Sequence, residues 1–532
     1  MAYSKAPTND TYSSPRIPVA YGIAQRDGFS NTAINQRPDE GLVNTIPIRD
    51  KNDKDGTETM AQLRLPIVGQ EITGSTGLVG QVRGVYVWEY GSATTAPAYF
   101  VDVGDSVFRV TGTAPGTFVK IITWTTTNKG SDSPVGFTEF IDGSNTKSLI
   151  IVDGVEGYSY ASTLPATATK ITDVDFPTPH APYPIYLDGY LFLAKKDTGD
   201  IYNSDLNSPT TWTAGSFISS EIYPDNIKAL MKINNYLVAV GANGCEYFYD
   251  AANASGSPLA RYEGAVLPFG LAFPNSIAVN KNRACMLANM NDGEPAVVVI
   301  EDLKYKDITP PWLVNFISKV GPSINVYGYF IRQYGHMLYC VNVGAATFAY
   351  DFDTELWVEF AYGSNTSLPI YYTAFSPSYA VPTTFFAANA VGTGTNGFFG
   401  SLGNSIITSG IYQNDGYDAL YISGAVVTSP ITMVIRTPRL TFGTNNSKTM
   451  SRFVMQVECA SPSTGVPATV SWLDNDWEMA SAQSVTKTFT PNDNWISQLG
   501  MFRSRAFSIS LGGVPYSFRV RWIEMDINKG QQ

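Results

Sequence analysis

An all-β chain, a six- or seven-bladed β-propeller followed by an antiparallel β-sandwich platform, is what this sequence predicts, and three observations carry the prediction. The first is a hairpin signature that occurs seven times: an apolar strand, a tight Gly- or Asp-containing turn, and a second strand. It runs from Tyr99-Phe-Val-Asp-Val-Gly-Asp-Ser-Val-Phe-Arg-Val110, and the others begin near Leu149, Leu191, Leu237, Met286, Leu338 and Phe385. Six intervals between Tyr99 and Phe385 give a mean period of about 48 residues, inside the ~40–50 of a four-stranded propeller blade. Units of that size bury their apolar faces against their neighbours. The second observation is the residue palette. With 28 Phe, 31 Tyr and 9 Trp, frequent Gly and Pro, and few charges, the chain has the composition of strands and turns. The third is a C-terminal stretch that leaves the repeat and reads as longer alternating strands.

Residues 1–80 read as an irregular N-terminal arm that packs on the platform or on a neighbouring subunit. Pro7, Pro15, Pro18, Pro38 and Pro47 punctuate it, Asp50–Glu58 is a charged loop, and Tyr21, Ile23, Phe29, Leu42 and Ile46 supply apolar anchors. Residues 81–429 hold the hairpins, with further strands such as Gly84–Tyr90 and Val326–Arg332 between them, so that each period supplies four strands. A "Tyr-Asp, turn, Trp" pattern closes blades: Tyr350–Trp357 is its clearest form and Asn203–Trp212 a longer one. Each Trp is expected to fill the wedge between blades. One helix is expected, Pro311–Lys319, with Trp312, Phe316 and Lys319 on one face. Residues 430–532 predict strands over Ile431–Leu440, Arg452–Cys459, Ala468–Leu473, Ser504–Leu511 and Tyr516–Ile527. In the last, Phe518, Val520 and Trp522 share one face and Arg519 and Arg521 the other, as a half-buried sheet requires.

The net charge of −11 argues against general nucleic-acid binding, which needs a basic footprint. The charge is uneven: residues 430–532 carry ten Lys and Arg against seven Asp and Glu, and the remainder 25 against 39. Cys245, Cys285, Cys340 and Cys459 form no CxxC and are expected to be buried free thiols. The polar start, Met1–Pro15, predicts no secretory signal, and the absence of a run of about 18 apolar residues predicts no membrane-spanning segment.

Catalytic constellations fail one by one, and no enzyme, cofactor or metal is expected. Gly392-Thr-Gly-Thr-Asn-Gly397 is a literal GxGxxG, but a strand resumes at Phe398 where a dinucleotide site needs a helix. Asp351, Asp353 and Glu355 alternate in the manner of calcium ligands, yet the Gly of a calcium loop is missing. Two histidines, His180 and His336, are too few and too far apart for HExxH or most zinc sites, and no GxSxG elbow accompanies them. Ser471-Trp-Leu-Asp-Asn-Asp-Trp477 is the nearest approach to a sialidase Asp-containing turn, but it lacks the Gly and Thr and occurs once.

Arg503, Arg505, Arg519 and Arg521 form the one basic constellation. Spacing of two places each pair on one strand face, so neighbouring strands would gather four guanidiniums into a patch for carboxylates or phosphates. The alternative is a solvated outer face paired with Glu524 and Asp526.

Asp200-Ile-Tyr-Asn-Ser-Asp-Leu-Asn-Ser-Pro-Thr-Thr-Trp212, Ser219–Leu230, Asn235–Gly241 with Glu246-Tyr-Phe248, and Gln498–Arg505 with Phe518–Asp526 occur in an order that resembles the tail hub or nozzle (packaged-DNA stabilisation) proteins of short-tailed bacteriophages. Asn35–Asn44 is loosely similar. The resemblance implies a structural virion protein of the tail, assembled in the host cytoplasm as a ring, usually a hexamer, that extends the portal channel. It implies head-to-tail adaptor proteins and tail spike, fibre or needle proteins as partners. It also implies double-stranded DNA passing through the lumen without specific binding, retained until ejection. The other reading of a Tyr- and Trp-rich propeller is a glycan-binding or glycan-cleaving receptor-recognition protein.

Overall fold

Each of the seven hairpin signatures becomes the two middle strands of a blade. The computed structural model describes residues 12–17, 19, 41–49, 60–64, 69–71, 80–91, 97–111, 117–125, 134–223, 225–319, 326–333, 336–344, 346–361, 370–376, 383–389, 397–402, 432–459, 463–474, 482–512 and 518–529. Blade one is Val82–Trp88, Ala98–Val103, Ser106–Thr111 and Thr117–Thr123. Blade two is Gly136–Ile141, Lys147–Val152, Gly157–Ala161 and Thr169–Lys170. Blade three is Ile185–Leu187, Tyr190–Ala194, Asp200–Ser204 and Trp212–Ser219. Blade four is Ala229–Ile233, Tyr236–Val240, Cys245–Asp250 and Leu259–Leu267. Blade five has a split inner strand, Phe269–Leu271 and Ala278–Asn280, then Arg283–Met290, Pro295–Glu301 and Lys304–Asp307. Blade six is Val326–Gln333, His336–Val343, Ala346–Asp351 and Leu356–Phe360.

Blade seven is closed by a strand from far upstream. Ile370–Ser376, Thr383–Asn389 and Gly397–Leu402 supply three strands, and Gly69–Glu71 pairs antiparallel with the last of them. The innermost strands neighbour one another around the ring, ending with Ile370–Ser376 against Val82–Trp88. The expected six or seven blades are therefore seven among the described residues. Residues 390–396, which hold most of the GxGxxG, lie outside the described residues.

Apolar side chains meet between blades, as the alternation of the strands dictates. Trp212 packs on Phe176 at 5.4 Å in a core that joins Phe140, Ile150 and Val152 of blade two to Leu191 and Leu193 of blade three. Trp357 packs on Tyr350 at 5.4 Å and donates its Nε1 proton to the Ile308 carbonyl at 2.8 Å, in the core between blades five and six. Both wedge tryptophans sit where the blade-closing pattern predicts. The helix Pro311–Lys319 forms as expected, but its buried face is Trp312, Leu313 and Ile317, and Lys319 is exposed. Trp312 and Phe316 nonetheless both pack on Phe348, at 5.1 and 5.2 Å.

Close backbone approach fixes the glycine at 328. At Gly328 an added Cβ would lie 2.0 Å from the Ser276 carbonyl oxygen and 2.6 Å from the Tyr339 hydroxyl, which itself donates to that carbonyl at 2.8 Å. Gly328→Ala is expected to force blades five and six apart and to cost about 2–4 kcal/mol, as overpacking against rigid backbone does. Thermal melting checks it, and an unchanged midpoint would refute the contact.

Two further sheets form the sandwich. One runs Trp495–Ser497, Lys448–Cys459, Phe518–Lys529, Met60–Arg64 and Thr45–Arg49, with Tyr12–Ser13 and Arg16–Ile17 also pairing with Phe518–Lys529. The other runs Met433–Arg436, Arg505–Leu511, Val466–Asp474 and Gln483–Phe489. Gly41–Val43 stitches this second sheet to blade six, antiparallel to Met433–Arg436 and parallel to Leu356–Phe360. One core results: Met455, Val457, Val520, Ile523 and Met525 meet Ile435, Val470 and Ile509, and Ile331, Leu338 and Val358 of blade six join them. Leu42 and Ile46 are fully buried in it.

The last strand departs from the expected alternation. Gln456 faces Trp522 but Val457 faces Val520, so Arg521 is an extra residue in a bulge. Beyond it the phase shifts, and the core face becomes Phe518, Val520, Ile523, Met525 and Ile527. Trp522 is only half-buried, with the Arg16 guanidinium 4.6 Å from its ring.

Candidate interface on the C-terminal sandwich

The exposed face of the Lys448–Cys459/Phe518–Lys529 pair carries a ladder of opposite charges set by strand register. Arg452 lies opposite Asp526, and its Nε donates to Asp526 Oδ2 at 2.7 Å while Ser14 Oγ donates to Oδ1 at 2.7 Å. Arg16 lies opposite Glu524, with Nε 3.3 Å from Oε2. Arg519 lies opposite Glu458 and donates to its Oε2, and Arg521, thrown outward by the bulge, reaches Oε1 at 3.0 Å. The Arg16, Arg519 and Arg521 pairs are partly exposed and worth about 0–1 kcal/mol each, so they contribute complementarity and register more than stability, whereas the Asp526 carboxylate is buried beneath Arg452. The ladder holds hydrogen-bonding and charged groups suited to another protein surface.

The four arginines do not form one patch. Arg505–Leu511 belongs to one sheet and Phe518–Lys529 to the other, which separates the two pairs. Arg519 and Arg521 are held by Glu458, where the solvated-face alternative named Glu524 and Asp526; register assigns those to Arg16 and Arg452 instead. Arg505 is fully buried. Its fork donates to Asp474 at 2.5 and 2.6 Å, and its guanidinium lies 4.3 Å from the Phe502 ring and 5.6 Å from Trp472. Arg503 is exposed, and its carbonyl accepts from Lys448 Nζ at 2.6 Å. Asp474 comes from the segment weighed as an Asp-containing turn; its function is to anchor Arg505.

Sequence reasoning missed Asn44. This residue is buried in the left-handed conformation, at φ 55°. Its amide donates to the Glu359 carbonyl at 2.8 Å, its Nδ2 to the Thr432 carbonyl at 3.1 Å, and its Oδ1 accepts from the Ala361 amide at 2.8 Å. One side chain thus ties the exit of blade six to the start of the sandwich. An Asn followed by alternating Thr45-Ile-Pro-Ile was the available signal, but nothing local names its distant partners.

The remaining candidates resolve into structural roles. His180 is buried, its Nδ1 2.8 Å from the Pro177 carbonyl. Asp351 accepts from the Thr354 hydroxyl at 2.8 Å and the Asp353 amide at 3.0 Å, which makes it a turn cap. Cys245, Cys285 and Cys340 are buried and Cys459 is half-buried; none of the four is in a disulfide. Burial pushes the first three thiols well above their ordinary pKa, which leaves them unreactive. Among the described residues no helix is long and apolar enough to cross a membrane.

His336 carries a pH dependence. It is buried, with Nδ1 2.9 Å from Asp351 Oδ2 and 3.7 Å from Asp353 Oδ2. Burial pushes the imidazole pKa down, but the hydrogen bond and charge of Asp351, with Asp353, outweigh it and hold the pKa above the ordinary 6.5. A raised folded pKa contributes stability that is complete below the unfolded pKa and is lost as pH rises through the folded one. The thermal midpoint is therefore expected to carry a component that falls as pH rises through and beyond the ordinary histidine range. His336→Gln should remove it. Melts of both proteins between about pH 5 and pH 9 check this, and parallel curves would refute it.

Comparison with known proteins adds the family. No curated relative matches the chain by sequence. Solved propellers overlay it loosely. The N-terminal domain of Nup159 is 10% identical, covers 63% of this chain and 94% of its own, and gives a TM-score of 0.35. A streptogramin B lyase is 10% identical, with coverages of 63% and 98% and a TM-score of 0.39. A virginiamycin B lyase from Staphylococcus aureus is 7% identical, with coverages of 63% and 98% and a TM-score of 0.36. A propeller hosts many activities, and these likenesses carry nothing about function. A sequence-family model described as "Bacteriophage P22 Gp10, beta-propeller" matches residues 46–405, a span that starts in the strands of the N-terminal segment and ends just past blade seven. With that match over more than half of its length, the chain belongs to the tail nozzle, or packaged-DNA stabilisation, family of short-tailed bacteriophages.

Proposed function

We propose that this structural phage protein assembles as a ring, most simply a hexamer, that extends the portal channel in the virion tail, retains packaged DNA, conducts it during ejection, and carries tail spikes, fibres or a needle. The observation that carries the reading is the family match over residues 46–405. In this reading residues 81–429 are the body of the conduit and 430–532 the platform that meets adaptor and tail proteins. Residues 1–80 act as the arm, with Gly69–Glu71 lent to blade seven. The acidic body supports passage of DNA without capture: 25 Lys and Arg against 39 Asp and Glu outside residues 430–532 leave few cations to neutralise phosphates. No catalytic step is assigned to it. We assign to the exposed arginines Arg503, Arg519 and Arg521 a contact with a neighbouring subunit or adaptor; Arg505 is committed to Asp474.

Negative-stain images of the purified protein are expected to show rings with a central pore that bind portal–adaptor complexes. A protein that stays monomeric and fails to join those complexes would overturn the reading. Changing Arg503, Arg519 and Arg521 together to Ala should weaken docking without unfolding the chain, and intact docking would remove the arginines from the interface.

A further inference from the structure

Among the described residues, the edges outside the ring of innermost blade strands are protected with one exception. Among the described residues, the outer strands of blades one, three and four each carry a bulge, at Lys120/Ile122, opposite Tyr202/Ser204 and opposite Glu246/Phe248. The outer strand of blade two is two residues long, and that of blade seven three. Blade five ends in Lys304-Tyr-Lys-Asp307, and blade six is covered by Gly41–Val43. In the sandwich, Thr45–Arg49 contains Pro47, and Trp495–Ser497 has three residues. Bulges, short strands, lysines, proline and covers are the devices that stop edges from pairing with other chains.

Gln483–Phe489 has almost none of them. It is seven residues long and pairs on one side with Val466–Asp474 in unbroken register from Val466–Phe489 to Trp472–Gln483. It contains no proline. Its single charge, Lys487, is turned onto Asp493 and the Trp495 carbonyl. Val485, 39% exposed, lies on it, and Trp495, 43% exposed, stands beside Lys487 with its ring 5.6 Å from Nζ. Its outer amides and carbonyls are a template for one more strand.

We propose that Gln483–Phe489 is a β-addition site that takes an extended, uncharged, β-branched-rich segment of a different polypeptide. The occupant follows from the edges themselves. Outside the ring of innermost blade strands, a second copy offers no complementary regular edge among its described residues except this same strand, and self-pairing would make a closed two-fold dimer, a contact that the proposed ring of subunits pointing one way cannot contain. With Lys487 already neutralised, the edge has no charge for a charged strand to answer, and Val485 and Trp495 favour an apolar residue opposite. That the polypeptide is another virion protein rests on the structural-virion reading above.

Hydrogen–deuterium exchange and cross-linking test the proposal. In the purified chain the outward amides of 483–489 should exchange rapidly, and in intact virions they should slow at least ~100-fold. Ser484→Cys carrying a benzophenone cross-linker should join this chain to a different virion polypeptide in those particles. Val485→Lys with Thr488→Lys should abolish the cross-link while shifting the thermal midpoint of the purified chain by no more than about 2 °C. Rapid exchange at 483–489 in virions that contain the chain would overturn the proposal alone, as would a cross-link to a second copy. Absence of the chain from virions would overturn the structural-virion reading, and the partner's identity with it.

Discussion

A chain lacking residues 1–71 is expected not to fold. Those residues supply Gly69–Glu71 to blade seven, Gly41–Val43 to the seam between blade six and the sandwich, and the Thr45–Arg49/Met60–Arg64 hairpin to the sandwich sheet. Among the described residues they also contribute five buried apolar side chains: Ile17, Val19, Leu42, Val43 and Ile46. At about 1.5–3 kcal/mol for each buried side chain, their loss reaches the ~5–15 kcal/mol by which a whole domain is stable. Four sheet edges would be bared as well, those of the last strand of blade seven, the outer strand of blade six, Met433–Arg436 and Phe518–Lys529, and bare edges aggregate. Circular dichroism of the truncated chain should show no cooperative melt, or the chain should be recovered only as aggregate. A cooperative melt within about 5 °C of the full chain would show that the N-terminal strands are ornamental. Asn44→Ala is the milder form of the same experiment. It strands the buried Ala361 amide and removes the donor to the Thr432 carbonyl, at an expected cost of about 1–3 kcal/mol in a denaturant titration.

Local pattern made the propeller legible, and long-range pairing hid the rest. The hairpins are contacts between residues close in sequence, so their turns and alternation appear in any short window; Leu237–Asp250 and Leu338–Asp351 read as strand pairs before any fold is known. The strands that close the architecture are short, and their partners lie hundreds of residues away. Gly69–Glu71 pairs with Gly400–Leu402, and Val43 with Glu359, and three residues between prolines and charged loops give no period to detect. The same limit applied to the arginines. Spacing of two reported that Arg519 and Arg521 share a strand with Phe518 and Val520, but not that a bulge would shift Trp522 out of the core phase. Nor did it show which sheet each pair joins. Glu458 and Asp474 became partners only through register, since each faces its arginine across a strand pair that sequence proximity does not announce.

Arg505 is where a single substitution should have the largest effect. Its strand pairs with Val466–Asp474 so that Asp474 lies directly opposite, and the planar fork meets the carboxylate with two parallel hydrogen bonds. The guanidinium lies over the Phe502 ring and near Trp472, away from water, whereas the Asp474 carboxylate keeps a quarter of its surface exposed. Removing only the arginine leaves a carboxylate facing a cavity lined by aromatic rings, and breaking a buried pair in this way costs about 3–5 kcal/mol. Arg505→Ala is therefore expected to lower the urea midpoint of the sandwich sharply, followed by the fluorescence of Trp472. Arg505→Lys should recover only part of the loss, because an ammonium cannot form the bidentate pair or stack flat on the rings. The double change Arg505→Met with Asp474→Leu separates packing from charge. If the pair chiefly specifies register, the apolar replacement should return stability to within about 1–2 kcal/mol of the native chain while the Arg505→Ala protein remains far below it. If instead Arg505→Ala melts with the native protein, Arg505 contributes nothing the aromatic core does not already supply, and the pair is no anchor. The first outcome separates Arg505, an anchor buried in the sandwich, from Arg16, Arg519 and Arg521, whose ion pairs lie on its outer face.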